Sequence, residues 1–207
     1  MNCSNGSFLT YLIVELISYA YIILYMSFES TKVIDLGSCA FRQPQAESHC
    51  KFIHGYRLKA KFWFTADKLD KNHWVVDFGG LKELKKLLEN QFDHTTCIAF
   101  DDPKRAVFES LHREGILDLR IMPRGTGIER IAEWCYEAAN NHVIKLTDGR
   151  CKCSKVEVWE HENNSAICTG VIDTIEEDSE QLLLEEFVKE QPPREEKSTW
   201  DLGTKWI

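Results

Sequence analysis

Residues 55–66 read GYRLKAKFWFTA, and the alternation in this stretch decides the fold. Tyr56, Leu58, Ala60, Phe62 and Phe64 fall on one face, and Arg57, Lys59, Lys61 and Trp63 fall on the other. That two-residue period predicts a strand with one buried side. Upstream, residues 31–42, TKVIDLGSCAFR, open with β-branched residues and alternate in part, which predicts a partner strand. The connection between them is rich in Gln, Pro, Ser and His, so the pair reads as a hairpin with a long loop. Cys39, His49, Cys50 and His54 crowd into this region. A loop held by a sheet is a frequent seat of chemistry. No C-x-x-C or H-E-x-x-H spacing specifies a metal, so the alternative that these are core thiols and satisfied imidazoles stays open.

Downstream, residues 74–78 form a short extended run that Gly79 and Gly80 interrupt. Leu81, Leu84, Leu87 and Leu88 then repeat at the helical period, which predicts a helix over 80–91 with its leucine face on the sheet. Residues 102–113 read as a short helix with Asp102 as its cap and Pro103 in its first turn. Residues 116–122 suit a strand, residues 127–140 a second main helix with Ile128, Ile131, Ala132 and Cys135 on one stripe, and residues 154–160 a closing strand. The order strand, strand, helix, strand, helix, strand predicts an α+β fold, a four-stranded antiparallel sheet with helices on one face.

Composition limits the function. Of the 207 residues, 43% are apolar and 28% charged, which excludes a disordered chain. The net charge is −8, but residues 171–207 hold eleven Asp and Glu against four Lys and Arg, leaving −1 for the rest. Neither part has the basic footprint that nucleic-acid binding needs. The eight cysteines are scattered, and reduced thiols in a cytoplasmic protein account for them better than a disulfide framework. Cys151 and Cys153 form a C-x-C pair with no second pair beside it, read here as structural.

Three segments follow: an apolar stretch in residues 1–25, a domain over 26–170 and an acidic extension over 171–207. Residues 8–25 are long enough to reach across a bilayer, yet no Lys or Arg precedes them and Glu15 interrupts them. Three readings are open: translation from Met26, a membrane anchor, or a packed accessory helix.

The segments HCKFIHGY, HWVVDFGGL, FDHT and VWEHENNSA, in this order on this pattern, resemble the 6-pyruvoyl-tetrahydropterin synthase and 6-carboxytetrahydropterin synthase family over about residues 32–168. The resemblance implies the tunnelling fold, in which sheets of several subunits join into a barrel and sites lie between subunits, so a homo-oligomer is expected. It also implies a pterin substrate, dihydroneopterin triphosphate, and a zinc ion held by three histidines. By position, Cys50 matches the catalytic cysteine and Asp93 with His94 the Asp-His pair. Glu160 matches the carboxylate that anchors the pterin ring, with Glu162 its rival, and His54 matches a zinc ligand. Tyr56 stands where the motif has its second histidine. Cys39 corresponds to the remaining zinc histidine, and His49 is the nearest substitute donor. Only Glu129 remains of the family's Pro-Thr-x-Glu-Asn helix entry.

These roles are chemically coherent. A thiol near its anion can remove a carbon-bound proton, and an imidazole oriented by a carboxylate can carry a proton to a departing oxygen. A carboxylate can accept two parallel N–H bonds from a pterin edge. Zinc would stabilise developing charge on oxygen. The triphosphate would need local cations, for which Lys51, Arg42, Arg57 and Arg124 are candidates. The resemblance implies a zinc-dependent lyase of the 6-carboxytetrahydropterin synthase type, on the route to preQ0 and queuosine. The 6-pyruvoyl-tetrahydropterin synthase activity and a non-catalytic pterin- or purine-binding relative with a degraded zinc site are the alternatives.

Overall fold

The structure, a computed structural model, describes residues 26–170. Strands β1 (Phe28–Phe41) and β2 (His54–Ala66) form the expected long hairpin and are antiparallel throughout. Helix α1 (Lys82–Phe92) leads to β3 (Thr95–Ala99), α2 (Arg105–Arg113) to β4 (Leu119–Met122), and α3 (Ile128–Leu146) to β5 (Lys152–His161) and β6 (Asn164–Thr169). The six strands make one sheet in the order β4-β3-β1-β2-β5-β6.

The inward face of β2 is as expected: Leu58, Ala60, Phe62 and Phe64 are fully buried. They meet Ile34, Leu36 and Phe41 of β1 and Val156 and Val158 of β5. Helix α1 lays Leu84, Leu88 and Phe92 on this layer, and α3 adds Ile131, Ala132, Trp134, Cys135 and Val143. The two helices meet where Phe92 and Trp134 pack edge to face, 5.3 Å between centroids. Each buried side chain of this size contributes about 1.5–3 kcal/mol, so the helix pair on β1, β2 and β5 is the main source of stability.

The sheet departs from the four antiparallel strands expected. It has six, and it is mixed, because β1 with β3 and β3 with β4 pair in parallel. Strand β3, TTCIA, carries no alternation for a simple reason: all five of its residues are buried. Cys97 faces the main core, while Ile98 joins Leu119 and Phe108 of α2 in a separate small cluster. Cys97 and Ile98 are successive strand residues, so α2 covers the face opposite α1 and α3. Helices therefore lie on both faces at the β3–β4 end and on one face elsewhere. A parallel strand covered on both sides loses its two-residue signal. Strand β6 pairs with β5 and is largely exposed.

Smaller corrections have local causes. Residues 74–78 do not form a strand; Val75 and Val76 are buried, and the Asp77 carboxylate accepts from the Gly79 N–H at 2.8 Å to start a 3-10 turn over Phe78–Leu81. Asp102 is not the cap residue of α2. Its buried carboxylate accepts from the Lys104 N–H at 2.8 Å and from the Arg42 guanidinium at 2.9 Å, tying the end of β1 to this turn. Among the described residues no helix is long and apolar enough to cross a membrane. The apolar stretch 8–25 and the acidic extension lie outside the described residues.

Candidate active site

The chemistry-bearing residues gather in two places, one on each side of β1. The first is the Asp93–His94 turn between α1 and β3. Asp93 ends α1, its N–H donating to Glu89 O. His94 adopts φ 59, a left-handed conformation uncommon for a residue with a side chain. Its backbone N–H donates to Ser38 O at 2.8 Å, and the Ser38 N–H donates to the Asp93 carboxylate at 3.3 Å. Gly37 of the β1 bulge, φ 87, makes this approach possible, because a Cβ there would lie 2.1 Å from Asp93 Oδ1. The result is an ion-pair contact of 2.7 Å between His94 Nδ1 and Asp93 Oδ1 with the imidazole largely exposed. With the Nδ1 proton directed at the carboxylate, Nε2 is left as the proton-accepting atom.

The second place is the loop after β1 and the start of β2. The loop is closed by the Gln43 N–H donating to Cys50 O at 2.9 Å, and Ser48 caps the 3-10 turn His49–Lys51 by accepting from the Cys50 N–H at 3.3 Å. Cys50 is half-buried in this turn, while His49 is exposed. His54 Nδ1 is 2.7 Å from Phe52 O and must donate to it, which leaves Nε2 with its lone pair. Four rings cluster here: Phe41 lies 4.9 Å from His54 and 6.1 Å from Tyr56, His54 5.7 Å from Tyr56, and Tyr56 6.1 Å from His161 between centroids. Burial first, then the charges of Glu160 and Cys50, hold the Tyr56 phenol above its ordinary pKa of 10.0. Tyr56 is therefore a neutral hydrogen-bond donor, beside a half-buried carboxylate at the end of β5.

The structure thus groups Cys50, His54, Tyr56 and Glu160 and places Asp93 and His94 apart from them. Strand β1 lies between β3 and β2. At about 4.8 Å per strand spacing, the two groups are about 10 Å apart across the sheet. Cys39 belongs to neither. It is 2% exposed, and its Sγ lies 3.5 Å from Cys97 Sγ and 3.8 Å from Thr95 Oγ1, both on β3. The shared hydrogen bond lowers the Cys39 pKa and, with burial, raises Cys97 well above the thiol range. Of the expected zinc set of His54, Cys39 and Tyr56, the Cys39 sulfur is thus engaged with β3. Among the described residues no group of three or more His, Cys, Asp and Glu is placed to hold a metal.

Glu129 is exposed in the first turn of α3, and Glu162 is exposed beyond Glu160. Three of the four proposed phosphate-binding cations are engaged inside the chain: Arg42 with Asp102, Arg57 with Asp35 at 2.7 Å, and Arg124 with Glu133 and Glu137. Lys51 stands over the Phe52 ring. Sequence reasoning overlooked His161 and the Cys97 partner of Cys39. His161 adjoins Glu160 in the quoted VWEHENNSA segment, a signal that was present; nothing in the sequence pairs Cys97 with Cys39.

The comparisons with known proteins agree with this architecture. The sequence model of the family described as 6-pyruvoyl tetrahydropterin synthase matches residues 35–171. A 6-carboxy-5,6,7,8-tetrahydropterin synthase from Rickettsia conorii is 39% identical over 57 residues, covering 27% of this chain and 41% of the relative. The corresponding Rickettsia typhi protein is 37% identical over the same length and coverage. The chain thus spans about two fifths of the length of these curated relatives. An uncharacterized protein from Wolinella succinogenes has a similar fold, with a TM-score of 0.61 at 18% identity over 70% of this chain and 99% of its own. The 6-pyruvoyl tetrahydropterin synthase of Plasmodium falciparum superposes with a TM-score of 0.53 at 17% identity, with the same coverage. By the extent of the family match, two thirds of its length, this chain belongs to the 6-pyruvoyl tetrahydropterin synthase family.

Proposed function

We propose that this protein is a pterin-processing lyase of the 6-carboxytetrahydropterin synthase type, which cleaves the side chain of dihydroneopterin triphosphate and releases acetaldehyde and triphosphate. The observation that carries the proposal is the Asp93–His94 pair, built at the cost of a left-handed backbone and a bulge glycine. Strain of this kind, of order 1–3 kcal/mol, is characteristic of working sites.

In this reading Cys50 removes the carbon-bound proton, and His94, oriented by Asp93, takes up a proton at Nε2 and delivers it to the departing oxygen. Glu160 holds the pterin edge through paired N–H bonds. The separation of the two groups across β1 favours a site completed by a second copy, whose Asp93–His94 turn faces the Cys50 loop. Among the described residues β4 and β6 are the two edges of the sheet. Sheet edges are where strands of another copy can add. Product consumption in 7-deazaguanine synthesis, and a cytoplasmic location, complete the proposal.

A second reading, a pterin-binding protein without catalysis, is favoured by the inward turn of Cys39. The full chain, incubated with dihydroneopterin triphosphate, separates the two: acetaldehyde release that Cys50→Ala abolishes supports the lyase. Binding of a pterin with no acetaldehyde from the wild-type protein establishes the second reading.

A further inference from the structure

We infer that the β1–β2 end of this chain holds no zinc ion and presents instead a metal-free, hydrogen-bonding wall made by His54 and Tyr56. A catalytic zinc site needs three protein donors converging on one point at about 2.0–2.3 Å. Of the three expected, only His54 fits: its Nδ1 is engaged by Phe52 O, which directs the Nε2 lone pair outward as a ligand would require.

Cys39 and Tyr56 fail for different reasons. The two are direct partners across the β1–β2 ladder, so their Cβ atoms share one face. The Cys39 sulfur nevertheless leans the other way, toward Thr95 and Cys97 of β3. That contact occupies the sulfur in a packed interior with 2% exposure. Turning it toward β2 would vacate a filled position and leave Cys97 without its sulfur neighbour. Tyr56 could serve only as a phenolate, an uncommon ligand for zinc, and its ring centre lies 5.7 Å from that of His54 in an edge-on arrangement. His161, the other imidazole against Tyr56, has its ring centre 6.1 Å from that of Tyr56 and joins no metal-binding group among the described residues. Tyrosine in place of a histidine here thus replaces a metal donor with a neutral O–H donor, and among the described residues no group of three His, Cys, Asp or Glu side chains compensates.

Metal content tests this without any turnover, so its outcome is independent of the lyase proposal. The full chain, exposed to equimolar zinc and desalted, is analysed by mass spectrometry of the metal beside His54→Ala and His54→Gln. The inference expects well under about 0.1 zinc per chain in all three. Zinc retained equally by all three proteins would sit elsewhere and also upholds it. About one zinc per wild-type chain that both His54 variants lose overturns it.

Discussion

The Asp93–His94 turn and the His54–Tyr56 end of β2 flank the same strand, yet they are held by different means. The turn is fixed largely by the backbone: the His94 N–H donates to Ser38 O, the Ser38 N–H donates to the Asp93 carboxylate, His94 is left-handed, and Gly37 lacks the Cβ that would collide with that carboxylate. The β2 end is fixed by side-chain packing in a cluster of rings, with one imidazole-to-carbonyl hydrogen bond. A backbone-built pair keeps its geometry as long as its few special positions are kept. A site held by side-chain packing depends on each ring that takes part.

The largest expected effect is on turnover. His94→Asn tolerates the same left-handed backbone but has no titrating ring, so acetaldehyde release should fall about 10²–10⁴-fold while the urea midpoint stays near that of the wild type. An equal loss of stability would show that the turn is structural and would erase the contrast. Next is Gly37→Ala, which combines φ 87 with a collision against Asp93. Strain and overpacking together should lower the unfolding free energy by about 2–4 kcal/mol, read from urea unfolding. A neutral result would mean the backbone yields more easily than the hydrogen bonds suggest.

The smallest effect concerns the side-chain region. The folded state holds the Tyr56 proton above the ordinary value of 10.0. As pH rises past that value, the unfolded chain loses a proton that the folded one keeps, so stability is full below this window and declines within it. Tyr56→Phe should flatten this alkaline limb in unfolding measured against pH. Tyr136, also raised by burial, should leave a residual slope. An unchanged limb would show that Tyr56 is as solvated as a free phenol.

Much of the fold was legible because its central elements obey simple periods. The β2 face, the leucine stripe of α1 and the stripe of α3 each bury one side, and their sequences say so. Strand β3 was hidden because α2 and α1 cover it from opposite sides, which removes alternation, and β6 because it is short and largely exposed. The site was legible in part. Cys50, His54, Asp93 and His94 were singled out by their match to the family's segments, not by spacing alone. The direction of the Cys39 sulfur was not legible, since it depends on a parallel pairing with β3 across a separation of 58 residues.

The sequence by itself determined the β1–β2 hairpin, the two main helices and the residue types available for proton transfer, because these follow from local periodicity and covalent adjacency. Only the tertiary structure decided which way Cys39 points, that the sheet is mixed, and that the Asp93–His94 turn lies across β1 from the Cys50 loop. Those features arise from strand order and from which side chain fills which space, and both are set by contacts between residues distant in the chain.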